Sequence, residues 1–134
     1  KNDISDIESS RKNFKDHKWS FSPLTLKESS SSDKVTVRNP ADSKDIVGTV
    51  IFANKNDAMK AIMNASNWND CDQIERSRIL KKAADLYEEN FGELFAVLTR
   101  EAGKTVQDAI GELREAVDFL RYYAEEARKQ SSSV

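Results

Sequence analysis

The chain has 134 residues, of which 38% are hydrophobic and 33% charged, and its formal net charge is -2. The basic residues are scattered, which argues against nucleic acid as a partner. No apolar run approaches the ~18 residues that would span a membrane. The single cysteine cannot form an internal disulfide. We therefore expect at most one domain, in a reducing compartment such as the cytoplasm or an organelle matrix.

The first 34 residues are polar, and we expect them to form a linker or tether without a core of its own. Residues 1–18 have the composition of a charged, frayed helix. Pro23 favours an extended chain after it, and the serine run at 29–32 predicts a flexible linker. Three apolar side chains in the extended part are candidates for anchoring it: Trp19, Phe21 and Leu24.

Two stretches predict β-strands, VTVRNP from Val35 and DIVGTVIFA from Asp45. Both are rich in β-branched residues, and the turn formers of NPADSKD separate them. They predict a small hairpin, which is marginal in water by itself.

The pattern after the hairpin is helical. We expect a first helix that starts at Asn56 or Asp57 and ends near Trp68. Its spacing predicts one apolar face, formed by Ala58, Ala61, Ile62 and Ala65.

Two further helices are separated by weak helix formers. Asp72 followed by Glu75 resembles a capping box at the start of the longer one. Asn90 and Gly92 interrupt it, and the short helix that follows ends at Gly103.

The last predicted helix carries an apolar seam whose gaps alternate between four and three residues. The seam consists of Val106, Ile110, Leu113, Val117, Leu120, Ala124 and Ala127. The whole pattern predicts a mostly α fold with a small β-hairpin. We expect residues 35–130 to form one domain segment, with the hairpin and about four helices, followed by a tail at 131–134.

A Gly-Lys-Thr triplet at 103–105 raises the question of a phosphate-binding loop. That loop requires G-x-x-x-x-G-K-[ST] after a buried strand, whereas the first glycine position here is Leu98 in a helical segment. We interpret the triplet as a joint: Gly103 ends one helix, and Thr105 caps the next with Asp108 at its third position.

Other reactive residue types give no site. Cys71 lies between two aspartates in WNDCDQ, and negative neighbours raise the pKa of a thiol. His17 is the only histidine, so a His/Cys metal site is not expected.

Three motifs carry a resemblance to a known family: NPAD…DIVGTV, ERSRILKKAADL and REAGKTVQDAIGELREAVDFLRYYA. They resemble the beginning of an aldehyde dehydrogenase domain, of the subfamily that oxidises L-glutamate γ-semialdehyde, in equilibrium with Δ1-pyrroline-5-carboxylate, to glutamate. WSFSPL is similar to the junction before that domain in the bifunctional proline utilization A family. The resemblance implies the N-terminal helical part of an α/β, Rossmann-like domain.

The resemblance implies NAD as cofactor and, if the parent is bifunctional, FAD in a preceding domain. It places the NAD-binding loop, the catalytic cysteine and its glutamate later than residue 134, so we expect no turnover from this chain alone. Its implied partners are a small-molecule aldehyde, the remainder of the dehydrogenase domain and further copies in a homo-oligomer.

Two site assignments follow from the resemblance. Glu115 matches a glutamate that faces the aldehyde channel near the amino group of the substrate. Glu101 matches an acidic position at a monovalent-cation site, together with backbone carbonyls near Val37 and Arg38. Ordinary helix-surface glutamates are the alternative at both positions.

Two other functions stay open. The first is a non-catalytic helical module that uses the apolar seam to bind a partner helix. The second is a dehydrogenase for another aldehyde.

Overall fold

A computed structural model describes residues 4–24, 33–66 and 71–131, and all structural statements refer to these ranges. The serine run, Trp68 and residues 132–134 lie outside them. Five helices and three strands occur within them. In chain order they are α1 (Ile4–Lys12), β1 (Trp19–Phe21), β2 (Lys34–Asn39), β3 (Asp42–Ile51), α2 (Lys55–Met63), α3 (Gln73–Glu89), α4 (Phe91–Arg100) and α5 (Val106–Ser131). The mostly α fold with a small hairpin is confirmed.

The sheet has the order β1-β3-β2. Strands β2 and β3 form the predicted antiparallel hairpin, and β1 pairs with β3 in parallel, with Trp19 opposite Gly48. The sequence pattern does not predict β1, because a three-residue strand has no periodicity to detect. Of the three anchor candidates, Trp19 is buried, whereas Phe21 and Leu24 are exposed.

Helix α1 packs on α4, so the polar N-terminal segment contributes to the core of the chain. Ile7 is buried there, and Gly92 of α4 lies so close to Ser10 that a Cβ at this glycine would meet it. Gly92 is therefore a packing residue inside α4 and does not interrupt a helix. The boundary at residue 34 stays a prediction.

Helix α2 begins earlier than expected. Asn54 is its N-cap, and Asp57 is the third helical residue, whose carboxylate accepts from the Asn54 backbone N–H at 3.1 Å. This capping box fixes the start. The helix ends at Met63, and the predicted apolar face is exposed, with Ile62 71% accessible. Within the described ranges no element covers it.

Helices α3 and α5 pack along their lengths. Ala84, Ala109 and Ala124 are fully buried, and such small side chains let two helix backbones approach closely. Asp72 caps α3 by accepting from the Glu75 N–H at 2.7 Å, while the Glu75 carboxylate pairs with Arg78. The predicted cap is present, but the reciprocal half of the capping box is not.

Helix α4 joins the two apolar clusters of the chain. Phe95 belongs to the cluster that contains Ala84 of α3 and Leu113 and other residues of α5. The next residue, Ala96, packs on the other side with Trp19 and Val47. Adjacent residues face different directions on a helix, so α4 holds the sheet on one side and α5 on the other.

Candidate functional site

The predicted substrate residue Glu115 lines an open surface depression of about 380 Å³ on α5. Gly111, Arg114, Asp118 and Phe119 line it too. Positions 111, 115 and 118 have the i, i+4, i+7 spacing of one helix face. The buried seam faces the opposite side, so this depression points away from the core of the described chain.

The charges at this depression differ from all others on α5. Arg114, Glu115 and Asp118 make no hydrogen bond or ion pair within the described residues. Every other charged side chain of the helix forms an ion pair or a hydrogen bond. These residues are Asp108, Glu112, Arg121, Glu125, Glu126, Arg128 and Lys129. Fixed charges without internal partners are available to a ligand or to another part of the protein.

Aromatic side chains continue the same face toward the C-terminal end of α5. Phe119 and Tyr123 are stacked with their ring centroids 6.2 Å apart, and Tyr122 contacts Tyr123 edge-on at 5.2 Å. All three are at least half exposed. An exposed cluster of aromatic side chains is typical of an interaction surface.

The second predicted site is brought together in part. Glu101 and Val37 line one depression of about 150 Å³, between β3 and the end of α4. The β2–β3 register shifts on both sides of Arg38, and such bulges disrupt the hydrogen-bond ladder. The Arg38 side chain points elsewhere, since its Nη1 donates to the Ser43 carbonyl at 2.8 Å. Only main-chain oxygen of Arg38 is compatible with a cation site.

The Gly-Lys-Thr triplet is a helix joint in the structure. Gly103 has φ of +66°, the left-handed conformation of a helix C-terminus. The Thr105 hydroxyl accepts from the Asp108 N–H at 3.1 Å and donates to the Asp108 carboxylate at 2.7 Å. Lys104 pairs with Glu112, which raises the pKa of the lysine.

Neither of the other reactive residue types joins a site. Cys71 is a half-buried free thiol, and His17 lies edge-on against Trp19 with ring centroids 4.8 Å apart. The part of the chain that the structure describes contains no group of three or more His, Cys, Asp or Glu side chains placed to hold a metal ion. It also contains no helix long and apolar enough to cross a membrane.

A partly buried ion pair that the sequence pattern does not predict connects β3, α4 and the N-terminal segment. Arg100 is 9% exposed and binds Asp45 through Nε at 3.1 Å and Nη2 at 2.7 Å. Its Nη1 donates to the carbonyls of Phe14 and His17 at 3.0 and 2.7 Å. No local signal predicts a pair whose members lie on β3 and α4.

The same guanidinium lies over the Trp19 ring, with its carbon 5.3 Å from the centroid. The indole Nε1 donates to Glu93 at 2.7 Å. Hydrogen bonds from Arg100, then from Asn39, lower the pKa of the Asp45 carboxyl. We call the contacts of Arg100 with Asp45, Trp19 and the Phe14 and His17 carbonyls the Arg100 clasp. The Arg100 clasp connects β1 and the residues before it to the hairpin and to α4.

Curated relatives share most of this sequence. Bifunctional protein PutA of Klebsiella aerogenes is 40% identical over 129 residues, which are 93% of this chain and 10% of the relative. α-Ketoglutaric semialdehyde dehydrogenase of Bacillus subtilis is 39% identical over 110 residues, 79% of this chain and 22% of the relative. The chain thus spans less than a quarter of either protein.

Solved structures share its fold. Proline utilization A from Bdellovibrio bacteriovorus superposes with a TM-score of 0.84 at 27% identity, covering 92% of this chain and 14% of that one. A 1-pyrroline-5-carboxylate dehydrogenase from Thermus with bound NAD gives 0.78 at 30%, covering 89% and 24%. The sequence pattern of the aldehyde dehydrogenase family matches residues 26–134. The chain therefore belongs to the aldehyde dehydrogenase family.

Proposed function

We propose that this chain is part of an NAD-dependent dehydrogenase that oxidises L-glutamate γ-semialdehyde to glutamate. The semialdehyde is in equilibrium with Δ1-pyrroline-5-carboxylate. The observation that carries the proposal is that Glu115 is exposed and unpaired in the α5 depression. Glu115 lies in the motif REAVDF and matches the glutamate that faces the aldehyde channel in the family. The named relatives support it, because they include PutA and a 1-pyrroline-5-carboxylate dehydrogenase.

In this proposal α5 forms one wall of the site. The Glu115 carboxylate pairs with the ammonium group of the open-chain semialdehyde, a charge-assisted contact that orients the substrate. Bound NAD would supply the hydride acceptor for oxidation of the aldehyde carbon, with water as the source of the second carboxylate oxygen. None of the four glycines builds a G-x-G-x-x-G turn. The resemblance to the aldehyde dehydrogenase family implies that the contacts to NAD and the reacting cysteine belong to other parts of the protein, so we expect residues 1–134 alone to be inactive.

The wider assignments belong to the same proposal. The parent is bifunctional, with FAD in a proline dehydrogenase domain, which the 93% coverage of this chain by a PutA relative supports. It is a cytoplasmic homo-oligomer, and the remainder of the dehydrogenase domain covers the aromatic patch at Phe119, Tyr122 and Tyr123 and the exposed face of α2.

A monovalent-cation site at Glu101 is a further part of the proposal. The Glu101 carboxylate and main-chain carbonyls of Val37 and Arg38 supply the oxygen ligands that a hard cation prefers. Glu101→Gln should then abolish any gain in thermal stability on replacing tetramethylammonium by sodium or potassium. A gain of equal size in the variant would exclude this site.

The test of the substrate assignment is NADH formation by the full-length gene product that carries this chain. Δ1-Pyrroline-5-carboxylate, α-ketoglutaric semialdehyde and acetaldehyde form the substrate panel. Selective turnover of the first supports the proposal, while selective turnover of another aldehyde keeps the family and replaces the substrate. Absence of turnover with all three aldehydes would favour the alternative, a non-catalytic helical module that binds a partner helix. A native gene product whose mass is near that of this chain alone would support the same alternative.

Glu115→Gln tests the role of the carboxylate, with Glu112→Gln as its matched control on the same helix. Glu112 is exposed but pairs with Lys104 and lies outside the depression. Loss of the charge at 115 should raise KM for the semialdehyde by about ten-fold or more. The KM for α-ketoglutaric semialdehyde, which has no amino group, should not change. Equal effects of the two variants would contradict the assignment.

A further inference from the structure

Gly111 is a glycine without a local structural reason. Among the four glycines of the chain, all within the described ranges, the other three are required where they stand. A Cβ at Gly48 would collide with the Trp19 backbone, one at Gly92 would meet Ser10, and Gly103 has positive φ. Gly111 does not have positive φ, and apart from its chain neighbours and the nearby backbone of α5 itself, no atom of the described chain lies within 4 Å of the position that its Cβ would take.

The position is nevertheless unfavourable for glycine. It is the sixth residue of the 26-residue helix α5, and an interior glycine lowers helix stability relative to alanine. Neither backbone conformation nor packing within the described chain compensates for that loss. The missing side chain therefore leaves space on α5 that a group from outside the described residues can occupy.

The surroundings indicate what approaches. Gly111 lies one helical turn before Glu115, and both line the α5 depression with Phe119. Spacings of four and eight residues place all three along one side of the helix. A side chain at 111 would therefore enter the depression on the N-terminal side of Glu115.

We propose that Gly111 is a specificity-determining residue: its missing side chain leaves room beside Glu115 for the functionalised chain of an amino-acid semialdehyde. This inference rests on the proposed function and adds a residue to it. The alternative occupant is a segment of the protein outside residues 1–134 that packs its backbone on Gly111, and the experiment separates the two.

The experiment is a size series at this position in the full-length gene product, Gly111→Ala and Gly111→Leu. Gln107→Leu is the control, since Gln107 is exposed on α5 and does not line the depression. The readouts are KM and kcat for Δ1-pyrroline-5-carboxylate and for acetaldehyde, and the midpoint of thermal inactivation.

The proposal expects KM for Δ1-pyrroline-5-carboxylate to rise with side-chain size, by about ten-fold or more for leucine. It expects KM for the two-carbon acetaldehyde to change by less than about two-fold, because a small aldehyde does not reach the widened region. Gly111→Ala should keep or raise the thermal midpoint, because alanine is the better helix former. The control should leave both KM values unchanged.

Two results overturn the proposal. The first is an unchanged KM in both variants. The second is a lower thermal midpoint for Gly111→Ala with equal losses for both aldehydes, which would assign the space to a packed segment. Wild-type turnover of Δ1-pyrroline-5-carboxylate tests the proposed function. The ratio of KM in the variant to KM in the wild type tests the role of Gly111. If the wild type turns over α-ketoglutaric semialdehyde instead, the same KM ratio is measured with that longer aldehyde, and acetaldehyde remains the small reference substrate.

Discussion

Replacing Arg100 by methionine should weaken the attachment of the N-terminal segment, including β1, to the rest of the chain. Methionine keeps most of the apolar stem but removes all four hydrogen bonds, to Asp45, Phe14 and His17. Removing one partner of a buried ion pair costs ~3–5 kcal/mol. The Asp45 side chain is 26% exposed, so water partly solvates it, and we expect about 3 kcal/mol, the lower end of that range.

Hydrogen exchange of the β1 amides measures this loss directly, because their protection requires the strand to stay paired with β3. A loss of about 3 kcal/mol accelerates exchange through local opening by roughly 100-fold. Urea unfolding of the 134-residue chain, followed by tryptophan fluorescence, gives an independent value.

Arg78→Met is the matched control for this prediction. Arg78 also binds a carboxylate, Glu75, through two nitrogen atoms, but its side chain is 70% exposed. Exposed pairs contribute ~0–1 kcal/mol, and β1 exchange should stay as in the wild type. Two results would refute this reasoning. One is an equal loss of unfolding free energy in both variants, and the other is a change in β1 exchange of less than about three-fold in Arg100→Met. Either would show that burial does not strengthen the Arg100 clasp.

Three other variants or conditions give separate tests. Gly48→Ala should destroy the β1–β3 pairing, because its Cβ would overlap the Trp19 backbone, and the tryptophan emission should shift to the red; unchanged emission would contradict this. Thr105→Ala should lower stability by about 1 kcal/mol in urea unfolding through loss of the helix cap, with Thr105→Ser nearly neutral as control. Asp45 has a lowered pKa in the folded state, so its stabilising contribution is fully present above the unfolded pKa and is lost as pH falls through the folded one. Urea midpoints from pH 7 down to pH 3 should therefore fall less steeply in Asp45→Asn than in the wild type, and parallel curves would exclude this role for the Arg100 clasp.

Local chemistry was enough to predict the helix joints. Gly103 and Thr105 end and start helices by the backbone conformation and hydrogen bonding of single residues, which a short window of sequence contains in full. The seam of α5 was likewise predictable, since Leu113, Val117 and Ala124 are buried in the register that their spacing requires.

Features that join distant segments could not be predicted in this way. Strand β1 exists because its backbone pairs with β3, and the buried Arg100 is explained only by Asp45 and two carbonyls from the N-terminal segment. Helix α2 shows the opposite error: its pattern predicts a buried face, but nothing in the described chain covers it.

The sequence alone determined the helix-rich fold, the hairpin and, through its motifs, the family, whereas the role of Glu115 stays a prediction. Only the tertiary structure decided that Glu115, Asp118 and Arg114 are the unpaired charges of α5 within the described chain, and that Gly111 has empty space beside it. The reason is physical. Periodicity and caps are properties of neighbouring residues, whereas pairing, burial and free space depend on which distant groups the folded chain brings close.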